Sequence, residues 1–199
     1  MMRFHTTFTS GTYSEDRYQT LKDQEKDIPF AYVDPIGIPS IGIGINLRFH
    51  GELVLEALGF DLDGQWLTGA AYLAEKGYAN ELLAAFKTGY GKKDTNANNA
   101  AKLAFDKILD RRAKNSIYAS APVDFPFRLK KFDLSLTTIT TRVLFDEAVT
   151  QYIKPGTTNE VVRGAEAVPS DSLGFVMTES KERLALMSLG YSAQVLIGL

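Results

Sequence analysis

Two acidic residues and a hydroxyl follow one another at short spacing near the start of the chain. Glu25 comes first, Asp34 nine residues later, and Ser40 six residues after that. Hydrolysis of a glycosidic bond needs one carboxylic acid to protonate the leaving oxygen, and a second group on the opposite face of the sugar to serve the incoming water or the cation. By themselves two such acids are more often solvated surface charges. They become a candidate active site only if the fold places them across a cleft.

The elements that would position these residues are a helix end and a hairpin turn. A polar helix is predicted over 14–27, with Ser14 as its N-cap. β-branched residues alternate around an Asp-Pro-x-Gly turn and predict a small hairpin over 30–47. The glycines Gly42 and Gly44 would let the strand backbone approach a sugar closely.

The rest of the chain is predicted to be mainly helical. Helices are expected over 52–58, 67–87 and 100–114, with a polar, Gly/Asn-rich break over 89–99 as the best linker candidate. The run 136–148 fits a helix, although its Thr and Val residues leave a strand open on propensity. The last helix is expected over 180–189, with Ser180 leading and four apolar residues buried: Leu184, Leu186, Met187 and Leu189.

Composition restricts the available chemistry to carboxylates and hydroxyls. The 199 residues are 45% hydrophobic with a formal net charge of −2, so the chain is typical of a globular protein and has no positive field for nucleic acid or anionic lipid. It has no Cys and two His, which excludes thiolate chemistry and disfavours a zinc site or a serine–histidine hydrolase. No cofactor is implied. The N-terminus lacks the apolar stretch of a secretory signal, and no run approaches the roughly 18 apolar residues of a membrane span.

The segment from Glu25 to Gly44 resembles the active-site signature of phage-type lysozymes, the T-even phage lysozyme family (glycoside hydrolase family 24). That signature is a Glu, then Tyr-x-Asp, a Gly turn and Thr-Ile-Gly-x-Gly-His. Here it reads Glu25, Tyr32-Val33-Asp34 and Ser40-Ile41-Gly42-Ile43-Gly44. It is more similar still to the lysozyme-like modules of bacterial toxins, in which the strand often continues into Asn-Leu, as Asn46-Leu47 does here. Weaker matches follow in the right order around 136–146 and 180–191.

This resemblance implies an inverting glycoside hydrolase with a mainly α-helical, lysozyme-like α+β fold and a small β-hairpin sheet. Glu25 would be the general acid, Asp34 would orient or activate water, and Ser40 would hold that water with its hydroxyl. Four further residues would contact the substrate: Tyr32, Gly44, Asn46 and Tyr191. Inversion implies carboxylates on the order of 6.5–9.5 Å apart.

The chain also departs from the family pattern. Ser40 replaces the usual Thr, and Ile45 replaces the usual His. We expect one domain over 1–199, made of a catalytic helix–hairpin segment over 1–50, a helical insertion over 51–135, and connecting and central helices over 136–199. Because the chain ends soon after the central helix, the second lobe is expected to be short, unless the chain is a piece of a larger protein.

The resemblance therefore predicts a muramidase that cleaves the β-1,4 bond between N-acetylmuramic acid and N-acetylglucosamine in peptidoglycan, as an antibacterial effector or a phage lysis enzyme. We expect it to be made in the cytoplasm and to act in the periplasm or on the cell wall after delivery. An immunity protein or a secretion-apparatus component is a further expected partner, and nucleic acid and membrane are not. Two alternatives stay open: a catalytically silent peptidoglycan-binding or interaction module, and an enzyme acting on chitin-like polymers.

Three other residues have two interpretations each. Asp61 begins a stretch similar to the middle of a calcium loop, but the twelfth position falls on Ala70, so a turn before a helix is favoured. His50 could touch a substrate, although a surface or capping role is favoured. Trp66 could stack on a sugar ring, although a core position is favoured.

Overall fold

The chain has a mixed α+β architecture in a computed structural model, with helices packed around a small three-stranded antiparallel sheet. The α+β class predicted from the sequence is confirmed at this level. The structure describes residues 12–90, 95–120, 134–153, 161–163, 180–181 and 183–189. Across these ranges, none of the helices combines the length and the apolar character needed to cross a membrane.

The elements run along the chain as follows. The helices are α1 (Thr12–Glu25), α2 (Leu47–Ala57), α3 (Gly69–Lys87), α4 (Thr95–Ala113), a 3-10 turn (Ser116–Ser120), α5 (Thr138–Thr150) and α6, described over 183–189. The strands are β1 (Ile28–Val33), β2 (Pro39–Gly42), β3 (Ile45–Asn46), β4 (Gln151–Ile153) and β5 (Val161–Arg163).

The observed sheet has three strands, one more than the predicted hairpin. β2 pairs with β1 on one side and with β3 on the other, all antiparallel. Gly42 and Gly44 have φ of 65° and 74°, and reverse the chain within three residues so that Ile41 pairs with Ile45. Only glycine adopts this left-handed conformation without a steric penalty, so the two glycines make the second turn possible.

The larger hydrophobic core lies between the sheet and the helices α2, α3 and α4. One face of the sheet enters it through Val33, Ile41 and Ile45, and the helices supply large side chains such as Phe86 and Phe105, whose rings meet edge to face. Residues of the predicted 51–135 insertion therefore share a core with the predicted catalytic segment.

A second core joins α1, α5 and α6. It consists of Tyr13, Tyr18, Leu21, Ile43, Phe145, Val149, Leu184 and Met187. Ile43 stands between the two left-handed glycines and belongs to this cluster, whereas Ile41 and Ile45 on either side belong to the larger one. The β2–β3 turn therefore ties the two cores together.

A buried ion pair joins the two long helices α3 and α4. Arg112 donates to both carboxylate oxygens of Glu75, from Nε at 2.9 Å and from Nη2 at 2.6 Å. The Tyr118 hydroxyl adds a third bond to Glu75 at 2.8 Å, and the Arg112 guanidinium lies 3.7 Å from the centre of the Phe60 ring. All charged atoms of this pair are shielded from solvent, so each partner depends on the other.

Several sequence predictions of helix limits and burial need correction. Ser14 lies inside α1, which is described from Thr12, and Thr95 in the predicted break is already part of α4. The helix alternative for 136–148 is confirmed by α5, and Ser180 caps α6, since its Oγ accepts from the backbone N–H of Arg183 at 3.2 Å. The apolar residues Leu186 and Leu189, predicted to be buried, are exposed, because only one stripe of α6 packs against α1 and α5.

Replacing Arg112 by Ala should destabilise the fold strongly, because it leaves the Glu75 carboxylate buried without its counter-charge. We expect the free energy of unfolding in urea to fall by about 3–5 kcal/mol. The matched control is Arg111→Ala, which removes the neighbouring Arg from an exposed ion pair with Glu81 and should change stability by less than about 1 kcal/mol. Equal losses in the two variants would contradict the network.

Stability should also depend on the protonation of His50 in α2. Burial lowers the pKa of this imidazole to about 4, from an ordinary value near 6.5. The unfolded chain therefore binds the proton first, and the contribution of neutral His50, complete above about pH 6.5, is lost as the pH falls towards 4. Between pH 7 and 4 the wild type should lose about 1–3 kcal/mol more unfolding free energy than His50→Gln. Parallel pH profiles would contradict this.

Candidate active site

Glu25 is the last residue of α1, and the chain turns sharply after it. Lys26 has a φ of 64°, and its N–H donates to the carbonyl of Lys22 at 3.0 Å, which is the left-handed closure of a helix C-terminus. The Ser188 hydroxyl of α6 donates to the Gln24 side chain at 2.6 Å. The end of α1 is therefore held by its own closure and by a neighbouring helix, and Glu25 is partly exposed there.

Asp34 is fixed by the turn that its own side chain organises. Its Oδ1 accepts from the backbone N–H groups of Ile36 at 2.9 Å and Ile38 at 2.8 Å, and its N–H donates to the carbonyl of Ile38. This is the role an Asp takes at the start of an Asp-Pro-x-Gly turn. No donor in the described part of the chain reaches Oδ2, so that oxygen remains for a ligand. The adjacent Val33 N–H donates to Asn98 of α4 at 2.7 Å, which anchors the strand end.

The register of the sheet aligns three of the predicted site residues. Tyr32 of β1 stands opposite Ser40 of β2, and Ser40 stands opposite Asn46 of β3. Directly opposed residues share a face, and Asp34 follows Tyr32 by two positions, so its side chain continues the same face. The opposite face is the one that carries the core residues. The sheet thus separates an apolar face from a polar face, which we call the site face: Tyr32, Asp34, Ser40 and Asn46.

Two side chains of the site face are buried and hold unpaired polar atoms. Ser40 is 1% exposed and Asn46 is 5% exposed. Neither Ser40 Oγ nor Asn46 Nδ2 has a hydrogen-bond partner among the described residues. Because buried polar atoms are normally paired, such an atom needs an explanation, and a ligand oxygen is one.

The pKa of the Tyr32 phenol is raised by burial and by both predicted catalytic carboxylates. Burial raises its pKa to about 12, with the negative charges of Glu25 and Asp34 as further causes, while a hydrogen bond from the backbone N–H of Gly44 opposes them. A charge acts strongly on a pKa only at short range. The bond from Gly44 joins Tyr32 of β1 to the β2–β3 turn, and the charges of Glu25 and Asp34 both act on the Tyr32 pKa.

A group of ion pairs around Asp146, which we call the clamp, holds α1 against α5. It could not be recognised from the sequence. The Asp146 carboxylate accepts from Arg17 of α1 at 2.6 Å and from Arg142 of its own helix at 2.9 Å. Arg142 also bonds Glu15 at 2.7 Å and the Ser14 carbonyl at 3.0 Å. Arg17 and Asp146 are 129 positions apart, and local patterns carry no information at that separation. The clamp fixes the helix from which Glu25 projects.

The structure also bears on the predictions made for Gly42, Asp61 and Trp66. Tyr191 lies outside the described residues. A Cβ at Gly42 would stand 3.2 Å from the Thr141 side chain of α5, so this glycine permits close packing against a helix, which differs from the sugar contact that we predicted. The Asp61 carboxylate accepts from three backbone N–H groups of its own loop, as expected of a turn. Trp66 is 40% exposed, so the core position favoured for it is wrong.

Comparison with known proteins gives no assignment: no family model, no curated protein and no solved structure matches the chain.

Titration of Tyr32 tests the proximity of the carboxylates directly. Neutralising either acid should lower the Tyr32 pKa, because it removes a negative charge that opposes the phenolate. At about pH 11 only roughly a tenth of the wild-type phenol should be ionised, and more in Glu25→Gln and in Asp34→Asn. Ultraviolet difference spectra against Tyr32→Phe isolate this residue from the other tyrosines. Asp23→Asn, an exposed acid on the same helix, should have no effect, and the site geometry is wrong if the three variants behave alike.

Proposed function

We propose that this chain is a lysozyme-like muramidase that hydrolyses the β-1,4 bond between N-acetylmuramic acid and N-acetylglucosamine in peptidoglycan. The observation that carries the proposal is the alignment of Tyr32, Ser40 and Asn46 across the sheet, with Asp34 fixed at the adjoining turn and Glu25 at the end of the preceding helix. An acid at a helix end and an acid at a hairpin turn can supply the two carboxyl groups that a glycosidase needs. The sequence resemblance implies the same roles for these residues.

The proposed reaction is a single displacement. The protonated Glu25 carboxyl gives its proton to the glycosidic oxygen while the bond from that oxygen to the anomeric carbon breaks. A water oxygen attacks the same carbon from the opposite face, and its proton passes to the Asp34 carboxylate. The products are two free sugar hydroxyls, and proton exchange with solvent restores both acids. A carboxylate separation of about 6.5–9.5 Å belongs to this inverting course and stays a prediction.

The departures from the lysozyme pattern fit an active enzyme. Ile45 packs into the larger core on the face of β3 that is opposite the site face. The residue at this position therefore does not belong to the site face, and the loss of the family's His leaves that face unchanged. Ser40 keeps the hydroxyl of the usual Thr and stands on the site face. Its missing methyl loosens the side-chain rotamer without removing the hydroxyl.

The proposed biological setting follows from the substrate. Peptidoglycan glycan strands are the partner of the enzyme, and it would act in the periplasm or on the wall, as an effector delivered to competing bacteria or as a phage lysis enzyme. An immunity protein that covers the site, or a component of the delivery apparatus, is the protein partner that such a role calls for.

Glu25→Gln should abolish hydrolysis of purified peptidoglycan while the thermal unfolding midpoint stays within a few degrees of the wild type. Loss of a general acid lowers the rate by roughly 10²–10⁴-fold. Release of reducing ends is the measurement, and mass spectrometry of the products identifies the bond that is cut. Asp23→Asn is the matched control on the same helix and should keep full activity.

The outcomes separate the alternatives. Full activity in Glu25→Gln would overturn the proposal. Binding to insoluble peptidoglycan with no reducing ends from the wild type would favour the silent binding module. Cleavage of chitin oligomers with no action on peptidoglycan would favour the aminosugar alternative. Proton NMR of the first product anomer tests inversion independently of the rate.

A further inference from the structure

Ser40 and Asn46 form a cross-strand pair of buried side chains, each of which holds an unpaired polar atom. They stand directly opposite each other on β2 and β3. The hydroxyl oxygen of Ser40 and the amide nitrogen of Asn46 have no partner in the described ranges. Two such atoms side by side, on the face that carries Asp34, call for one shared explanation.

The orientation of the Asn46 carboxamide is fixed by the helix that follows it. Its Oδ1 accepts from the backbone N–H of Arg48 at 2.9 Å and so caps the N-terminus of α2. Turning the amide over would place its NH2 group against that N–H, donor against donor. Nδ2 is therefore committed as a donor, and the atom that it can bind is an acceptor oxygen.

The spacing of the pair suits a single bridging oxygen. Directly opposed residues of antiparallel strands have Cβ atoms about 4.5–5.5 Å apart. One oxygen at ordinary hydrogen-bond lengths of about 2.7–3.0 Å from each side chain fits across that gap.

We propose that Ser40 Oγ and Asn46 Nδ2 together hold the attacking water of the hydrolysis, which makes Asn46 a positioning residue. This inference rests on the proposed function. Asn46 donates to one lone pair of the water oxygen, Ser40 accepts one of its protons, and Asp34 Oδ2 takes the other. The second lone pair of the water oxygen is then the only one that no hydrogen bond uses, and it points at the anomeric carbon. As the bond from carbon to water oxygen forms, the glycosidic bond breaks and Glu25 protonates the leaving oxygen.

The competing explanation is that Asn46 only caps α2, and suitable substitutions separate the two roles. Asn46→Ser and Asn46→Asp keep a capping oxygen and lose the amide donor. We expect both variants to unfold within a few degrees of the wild type while kcat falls roughly 100-fold and KM stays unchanged. A wild-type kcat in these variants, or a rise in KM alone, would overturn the proposal.

A matched control is available far from the site. Asn115 caps the 3-10 turn in the same way, its Oδ1 accepting from the N–H of Ile117 at 3.1 Å. Asn115→Ser makes the same chemical change at a second cap and should leave kcat unaffected. An equal loss of kcat there would show that the effect is structural, and would overturn the proposal.

A double-mutant cycle tests whether the two side chains hold the same atom. If they share one water, the loss of kcat in Ser40→Ala combined with Asn46→Ser should be much smaller than the product of the two single losses. Losses that multiply in full would mean independent roles and would overturn the shared site.

A readout without catalysis distinguishes failure of this inference from failure of the proposed function. In NMR spectra of the free protein, the Asn46 side-chain amide protons should show cross-peaks to a long-lived water, and Ser40→Ala should remove them. Cross-peaks in a protein that hydrolyses nothing would support the water site and reject only the muramidase. Glu25-dependent hydrolysis with no such cross-peaks would reject the water site alone.

Discussion

Successive side chains of a strand point to opposite faces of a sheet, and in β1–β3 one of these faces is locked into the larger core. Val33, Ile41 and Ile45 occupy that face. A slip of one residue would bring polar side chains into the core and apolar ones to the surface. Burial therefore sets the register of the three strands. The same register decides which polar residues stand side by side on the other face, so the packing of the core positions the candidate site.

The relative position of the two acids depends on a junction between two cores. Asp34 belongs to the sheet and hence to the larger core, whereas Glu25 ends a helix that packs in the second one. The β2–β3 turn contributes to both cores, because the two left-handed glycines place Ile43 in the second core and its neighbours Ile41 and Ile45 in the larger one. The ion pairs around Asp146 add a second tie between α1 and α5. These contacts tie the sheet that leads to Asp34 to the helix that ends at Glu25.

The sequence alone predicted the structural features that neighbouring residues determine. The helix that ends near Glu25, the turn that begins at Asp34 and the cap at Ser180 each follow from a few neighbouring residues, and all three are confirmed. The third strand was missed, since two glycines among apolar residues do not show on their own that the chain reverses.

The parts that could not be predicted depend on distant residues. The apolar pattern of α6 does not show that only one stripe finds a partner, and the residues next to Trp66 do not show that this side chain stays 40% exposed. The bond from Asn98 to the end of β1, and the clamp at Asp146, join positions that no short pattern connects. The unpaired atoms of Ser40 and Asn46 became recognisable only when burial and hydrogen bonds were both defined.

The buried pair of Glu75 and Arg112 also has a consequence for the order in which the chain assembles. During synthesis Glu75 leaves the ribosome 37 residues before its counter-charge, and a bare carboxylate resists burial until that partner arrives. The burial of Glu75 in α3 is therefore linked to the arrival of α4. α4 also anchors the end of β1 through Asn98, so the nascent sheet gains this support only after α4 has been made. The residues that resemble a lysozyme are made before α4, and the strand that carries Tyr32 gains its anchor only when that helix is present.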